Sequence, residues 1–136
     1  MSSQTATDSI CPSGWRLPTD ISTTSLNANN IKQSEFSNLL YSYGIMVGNN
    51  PSGSYGNEGF TNADTPLLSF PLSFLRSGYY LYSNGGLGGR GSRGTFWSSF
   101  ASSPAHSRSL YFGSTYLSPQ NDYNKGNGFA VRCVAR

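Results

Sequence analysis

Gly94-Thr95-Phe96-Trp97-Ser98-Ser99 and Gly128-Phe129-Ala130-Val131-Arg132-Cys133-Val134 bracket the segment on which the fold turns. Both blocks are apolar and rich in the aromatic and branched residues that suit a pleated, half-buried surface. Between them lies a run of Tyr, Ser, Asn, Pro and Gly with scattered charge. The outer blocks read as scaffold and the inner run as a display surface.

Working outward, Leu110-Tyr111-Phe112 reads as a further strand inside this window, and Tyr116-Leu117-Ser118-Pro119 as a short extended piece. Asn121 to Asn127 reads as a polar turn. Upstream, Leu75 to Tyr82 reads as a strand in which Gly78 marks a bulge or bend. Asn84 to Gly94 is a Gly-rich loop whose Arg90 and Arg93 read as solubilising charges. No helix follows these glycines, so they do not form a phosphate cradle. Val47 to Asp64 is continuous turn chemistry and reads as an inserted surface loop, and Leu67-Leu68 as a helical turn or buried lead-in. Phe36, Leu39, Leu40 and Tyr43 recur at helical spacing and predict a helix over 33–43, with Ser34 as N-cap and Gly44 as stop. Trp15 and Leu17 alternate around Arg16 between Pro12 and Pro18, a short edge strand.

The chain has 136 residues, which fits one domain over 10–136 preceded by a frayed polar tail over 1–9. Charged residues make up only 11%, but the aromatic content of 14% argues against disorder. The net charge of +3 is dispersed along the chain, unlike the one-sided basic face of a nucleic-acid binder. No stretch is long and apolar enough to span a membrane, and residues 1–9 lack a signal-peptide core. An exported protein would then owe its targeting, and any membrane attachment, to a parent segment outside this sequence.

Cys11 and Cys133 are the two cysteines. An even count in a Ser-, Asn- and Tyr-rich chain suits an oxidising compartment and a disulfide, with two separate buried thiols as the alternative. Two Cys and one His are too few for a structural zinc site, so no metal or cofactor is expected. The carboxylates are dispersed. His106 lacks a nucleophile-elbow partner, so no catalytic residues are assigned.

Cys-Pro-Ser-Gly-Trp-Arg-Leu-Pro over 11–18, a helix ending Tyr-Gly, Phe-Trp-Ser-Ser, Leu-Tyr-Phe and Gly-Phe-Ala-Val-Arg-Cys-Val together resemble the Fibrobacter-type major paralogous domain. That domain is similar to the variable proteins of diversity-generating retroelements. The resemblance covers residues 11 to 134. It implies an α+β, C-type lectin-like fold: small twisted antiparallel sheets, one or two helices, long loops, and N- and C-terminal strands paired so that Cys11 meets Cys133. It implies a non-enzymatic surface module, extracellular or at the cell surface, that binds a protein or glycan ligand. The ligand-contacting residues so implied are Phe100, Ser103, His106, Arg108, Tyr111, Tyr116, Ser118, Asn121, Asp122, Tyr123 and Asn124, with Tyr79, Tyr80 and Tyr82 as neighbours and Trp97 in the core. Tyr with Ser, Gly and Asn is also the composition of a binding surface that combines rigid aromatic area with adaptable hydrogen bonds. The Glu-Pro-Asn, Gln-Pro-Asp and Trp-Asn-Asp calcium ligands of sugar-binding relatives are absent, as are the active cysteines of the formylglycine-generating enzyme. The competing reading is a structural or adhesive module of a larger surface protein or pilus-like assembly.

Overall fold

The computed structural model describes residues 10–22, 34–43, 55–56, 65–114 and 116–136. It is a mixed α+β fold with small antiparallel sheets. In chain order the elements are β1 (Trp15–Arg16), α1 (Glu35–Ser42), β2 (Tyr55–Gly56), α2 (Thr65–Leu68), β3 (Tyr79–Tyr80), β4 (Leu87–Gly88), β5 (Arg93–Trp97), β6 (His106–Gly113), β7 (Tyr116–Asn124) and β8 (Val134–Ala135). The predicted tail over 1–9, Gly44 and most of the loop 47–64 lie outside the described residues. Within that loop, Tyr55–Gly56 is a strand rather than turn.

The largest sheet is antiparallel, in the order β2-β7-β6-β5. Its β5/β6 hairpin runs in unbroken register from Arg93↔Gly113 to Trp97↔Ser109. The β6/β7 pair slips by one residue between Ser109 and Tyr111. Pro119 and Gln120 together face Leu110 there, a bulge in β7. Proline has no N–H for a ladder, so an interior strand tolerates Pro119 best at such a bulge.

The slip has a geometric consequence. Tyr116 and Tyr123 are seven residues apart, so strict alternation would send them to opposite faces. The extra residue returns both to the face that carries Tyr111, whose ring lies 4.8 Å from Tyr116 and 5.5 Å from Tyr123. The predicted polar turn over Asn121 to Asn127 is corrected accordingly: residues to Asn124 continue β7, and the turn begins after it.

The other face builds the core. Phe96, Leu110, Phe112 and Leu117 project from β5, β6 and β7 onto Phe36 and Leu40 of α1, Leu67 of α2, and Leu72 and Phe74 of the connecting segment. Each such side chain contributes about 1.5–3 kcal/mol on burial. Phe74 is the hub, edge-on to Phe36, Phe96 and Phe112. The helix starts where expected, after Ser34. The Ser34 hydroxyl makes no cap bond, pairing instead with Ser37 Oγ at 2.8 Å.

Glu35 ties the first turn of α1 to the N-terminal segment. Its carboxylate accepts both Arg16 Nη atoms, at 2.5 and 2.8 Å, and the Thr19 N–H at 2.5 Å. The hydrogen bond from Arg16 holds the Glu35 carboxyl below its usual pKa, helped by Thr19. A carboxyl depressed on folding stabilises above its unfolded pKa near 4.3, and that stabilisation is lost as pH falls through the folded value. Glu35→Gln is therefore expected to cost about 1 kcal/mol at neutral pH, given its partial exposure. Urea titrations at several pH values should show the gap to wild type closing at pH values below about 4.

The chain ends meet at the base. Trp15 pairs with Ala135 and Arg16 with Val134, and Cys11 is disulfide-bonded to Cys133 with a Cα separation of 5.8 Å. A disulfide is compatible with an oxidising, extracellular setting. The predicted strand Gly128 to Val134 is shorter than expected. Only Val134 enters a ladder, while Gly128 and Ala130 make single bridges to Tyr80 and Phe96. The segment thus stitches β3 to β5 rather than extending one sheet. The predicted strand from Leu75 likewise contracts to Tyr79–Tyr80. Gly78 (φ +72°) precedes it, and a Cβ there would meet the Gly88 carbonyl oxygen at 2.4 Å, so the β3/β4 hairpin closes only on glycine.

Candidate functional site

Antiparallel pairing puts Thr95 opposite Tyr111 and Tyr111 opposite Ser118, with Ser107 opposite Tyr123 across the far end of the same face. Onto this face the crossing segment adds Phe129. Its ring stacks on Trp97 at 4.2 Å and meets Tyr123 edge-on at 5.1 Å and Tyr79 at 5.7 Å. Tyr79, Trp97, Tyr111, Tyr116, Tyr123 and Phe129 form one continuous aromatic layer, and each ring is half-buried. Such pairs contribute about 0.5–1.5 kcal/mol each beyond their area burial, so the layer is rigid in its own right.

Arg93 closes one edge. It donates to the Tyr79 hydroxyl at 3.0 Å, and its guanidinium lies 5.8 Å from the Tyr111 ring centroid. The Gly-rich loop reading of Arg93 is thereby revised: it is the first residue of β5. At the same edge the Tyr116 ring lies across Gly113, where a Cβ would meet it at 2.7 Å. The Tyr116 hydroxyl is buried without a hydrogen bond of ordinary geometry.

Burial pushes the Tyr111 phenol up to about 12, aided by Tyr116. Burial likewise pushes Tyr123 up to about 12, aided by Tyr111. Both remain neutral at physiological pH, as hydroxyls able to donate and to accept.

The residues implied as ligand contacts separate into three groups. Tyr111, Tyr116, Ser118, Asn121 and Tyr123 come together on the aromatic face, with Ser118 buried beneath the rings. Phe100, Ser103, His106, Asp122 and Asn124 gather at the end of the sheet where the β5/β6 connection meets β7. Ser102 bonds to Asp122 there, and Lys125 Nζ donates to the Ser103 carbonyl at 2.9 Å. The Phe100 carbonyl accepts from Ser107 Oγ at 2.7 Å. Asn124 Oδ1 caps the turn by accepting the Gly126 N–H at 2.8 Å.

Arg108 joins neither group. It is buried on the opposite side of the sheet, donating to the Gln120 carbonyl at 2.8 Å and the Ser22 carbonyl at 3.3 Å. Gln120 in turn donates to Asp20 Oδ1 at 2.6 Å, and burial pushes the Asp20 carboxyl up. Arg108 thus fastens the 20–22 segment to the sheet.

Ser103 Oγ lies 3.2 Å from His106 Nδ1. The same Ser103 oxygen accepts the backbone N–H groups of Ala105 and His106, which is turn chemistry. Among the described residues no three His, Cys, Asp or Glu side chains cluster as metal ligands would.

Sequence reasoning assigned Trp97 to the core and Phe129 to the terminal scaffold strand, neither to the binding face. Both belong to the strand-like blocks that the sequence marks as scaffold. Alternation along β5 puts Trp97 on the face opposite Phe96, whereas Phe129 reaches that face through the crossing of residues 128–130 between two sheets, which no local pattern encodes. Compared with family models, with curated proteins and with solved structures, the chain matches none.

Proposed function

We propose that this chain is a non-enzymatic ligand-binding module, of receptor or adhesin type, whose aromatic face engages a protein or glycan ligand. The observation that carries the reading is the layer of half-buried aromatic rings built on β5, β6 and β7. Their edges remain open to solvent and their phenols stay neutral. Rigid rings give contact area at low entropy cost, and the interspersed Ser and Asn supply adaptable polar contacts.

The pairing of β1 with β8 and the Cys11–Cys133 bridge at the base support a C-type lectin-like fold. In such a fold both chain ends clamp the scaffold beneath the variable face. On this reading the chain is a surface-displayed protein of the kind that diversity-generating retroelements vary, working outside the cell on a partner cell or virus.

The test is an array of glycans and cell-surface proteins probed with wild type and with Tyr111→Ala/Tyr123→Ala. The expected result is at least one ligand retained by wild type and lost by the variant, with both proteins folded by near-UV circular dichroism. Tyr111→Phe/Tyr123→Phe keeps the rings and removes only the hydroxyls, and it should give an intermediate signal. Ligands bound equally by all three proteins would refute the assignment.

A further inference from the structure

A concavity separate from the tyrosine face is lined by none of its rings. Between α1 and the β1/β8 ladder the surface opens into a cavity of about 480 Å³, within the range of small-molecule sites. Its walls are mainly apolar: Trp15, Leu39, Phe74 and Val134 among them. Two charged side chains also line it, Glu35 and Arg132.

These two charges are not equivalent. The Glu35 carboxylate is occupied, receiving both Arg16 Nη atoms and the Thr19 N–H and hydroxyl. Arg132 is held in position but not neutralised. Its guanidinium lies 4.4 Å from the Phe74 ring centroid and donates to the Leu72 carbonyl. No carboxylate pairs with it among the described residues. A stacked guanidinium with N–H groups left over is a preorganised fork for an oxyanion. The cavity therefore combines an apolar wall with one uncompensated, fixed positive charge.

We propose that this cavity binds an amphipathic carboxylate, a medium-length aliphatic acid. Its tail lies along Trp15, Leu39 and Val134, and its head group pairs with Arg132. The occupied Glu35 sets the polarity: a cationic amphiphile finds no free carboxylate there and meets Arg132 instead. The site is independent of the tyrosine face, since Tyr111, Tyr116 and Tyr123 do not line it.

Isothermal titration calorimetry on the oxidised full chain tests this, with decanoate and decanol as probes below their aggregation thresholds. Saturable one-to-one decanoate binding, about tenfold or more tighter than decanol, is expected from one charge-assisted hydrogen-bonded contact. Arg132→Gln should abolish that preference, and Arg132→Lys should restore part of it. Ala135→Trp, at an exposed lining position of the mouth, and Leu39→Trp, deeper in, should each weaken both probes. Tyr111→Ala/Tyr123→Ala should leave both unchanged. Absence of saturable decanoate binding overturns the proposal. So does equal affinity for the two probes, or a preference that survives Arg132→Gln in a protein with wild-type melting temperature.

Discussion

Removing the Cys11–Cys133 bridge, by reduction or by Cys133→Ser, is expected to lower the melting temperature by roughly 10–20 °C. The bridge spans 122 residues, almost the whole chain. Closing so long a loop in the unfolded ensemble contributes up to about 5 kcal/mol on the chain-entropy model, and native disulfides in small secreted domains contribute about 2–5 kcal/mol. Little else holds the base. The β1/β8 ladder is two residues long on each side, supplemented by the Arg136 N–H on the Gly14 carbonyl at 3.0 Å. Thermal melts followed by circular dichroism, with and without reductant, read the effect. An unchanged melting temperature would mean that the chain ends contribute nothing beyond what the core already fixes.

Phe74→Ala carries the second large effect, expected at about 3–5 kcal/mol from the lost transfer energy and the cavity left behind. Phe74 is 2% exposed and touches three other buried rings from α1, β5 and β6. It also seats Arg132. Truncation therefore disconnects the helix from the sheet as well as emptying the core. Phe70 offers the internal comparison. It is 91% exposed, and Phe70→Ala should change stability by less than about 0.5 kcal/mol. Urea unfolding midpoints of the two variants separate these cases. A Phe74→Ala midpoint close to that of Phe70→Ala would show that the core does not centre on this ring.

Much of the scaffold is legible in the sequence because it depends on local pattern. Phe36 and Leu40 at helical spacing after Ser34 give α1. The apolar blocks at Phe96 and Leu110 give β5 and β6, and two cysteines near the chain ends suit a bridge. The aromatic face is only half legible. Tyr111, Tyr116 and Tyr123 are conspicuous as residues, yet alternation alone would divide Tyr116 from Tyr123. Pro119 is the local trace of the bulge that reunites them, and it reads equally well as the end of a strand. Arg108 misleads for the reverse reason. It stands in the middle of the polar window, but its partners, Ser22 and Gln120, are respectively 86 and 12 residues away. Long-range pairing turns it inward, and no short-range signal reports that. Phe129 joins the face through the crossing of residues 128–130, which is again a long-range event.

The proposed binding rests on the rings of this face, so the central claim is about affinity. Its most direct measurement is the dissociation constant of the strongest array ligand for wild type, for Tyr111→Ala/Tyr123→Ala, and for Ala135→Trp at the opposite base, each checked for folding. The account predicts that the double tyrosine variant weakens binding by about 100-fold, as expected when two aromatic anchors of about 1–2 kcal/mol each are removed, while Ala135→Trp leaves it unchanged. A dissociation constant unaffected by the loss of both tyrosines in a folded protein would contradict it.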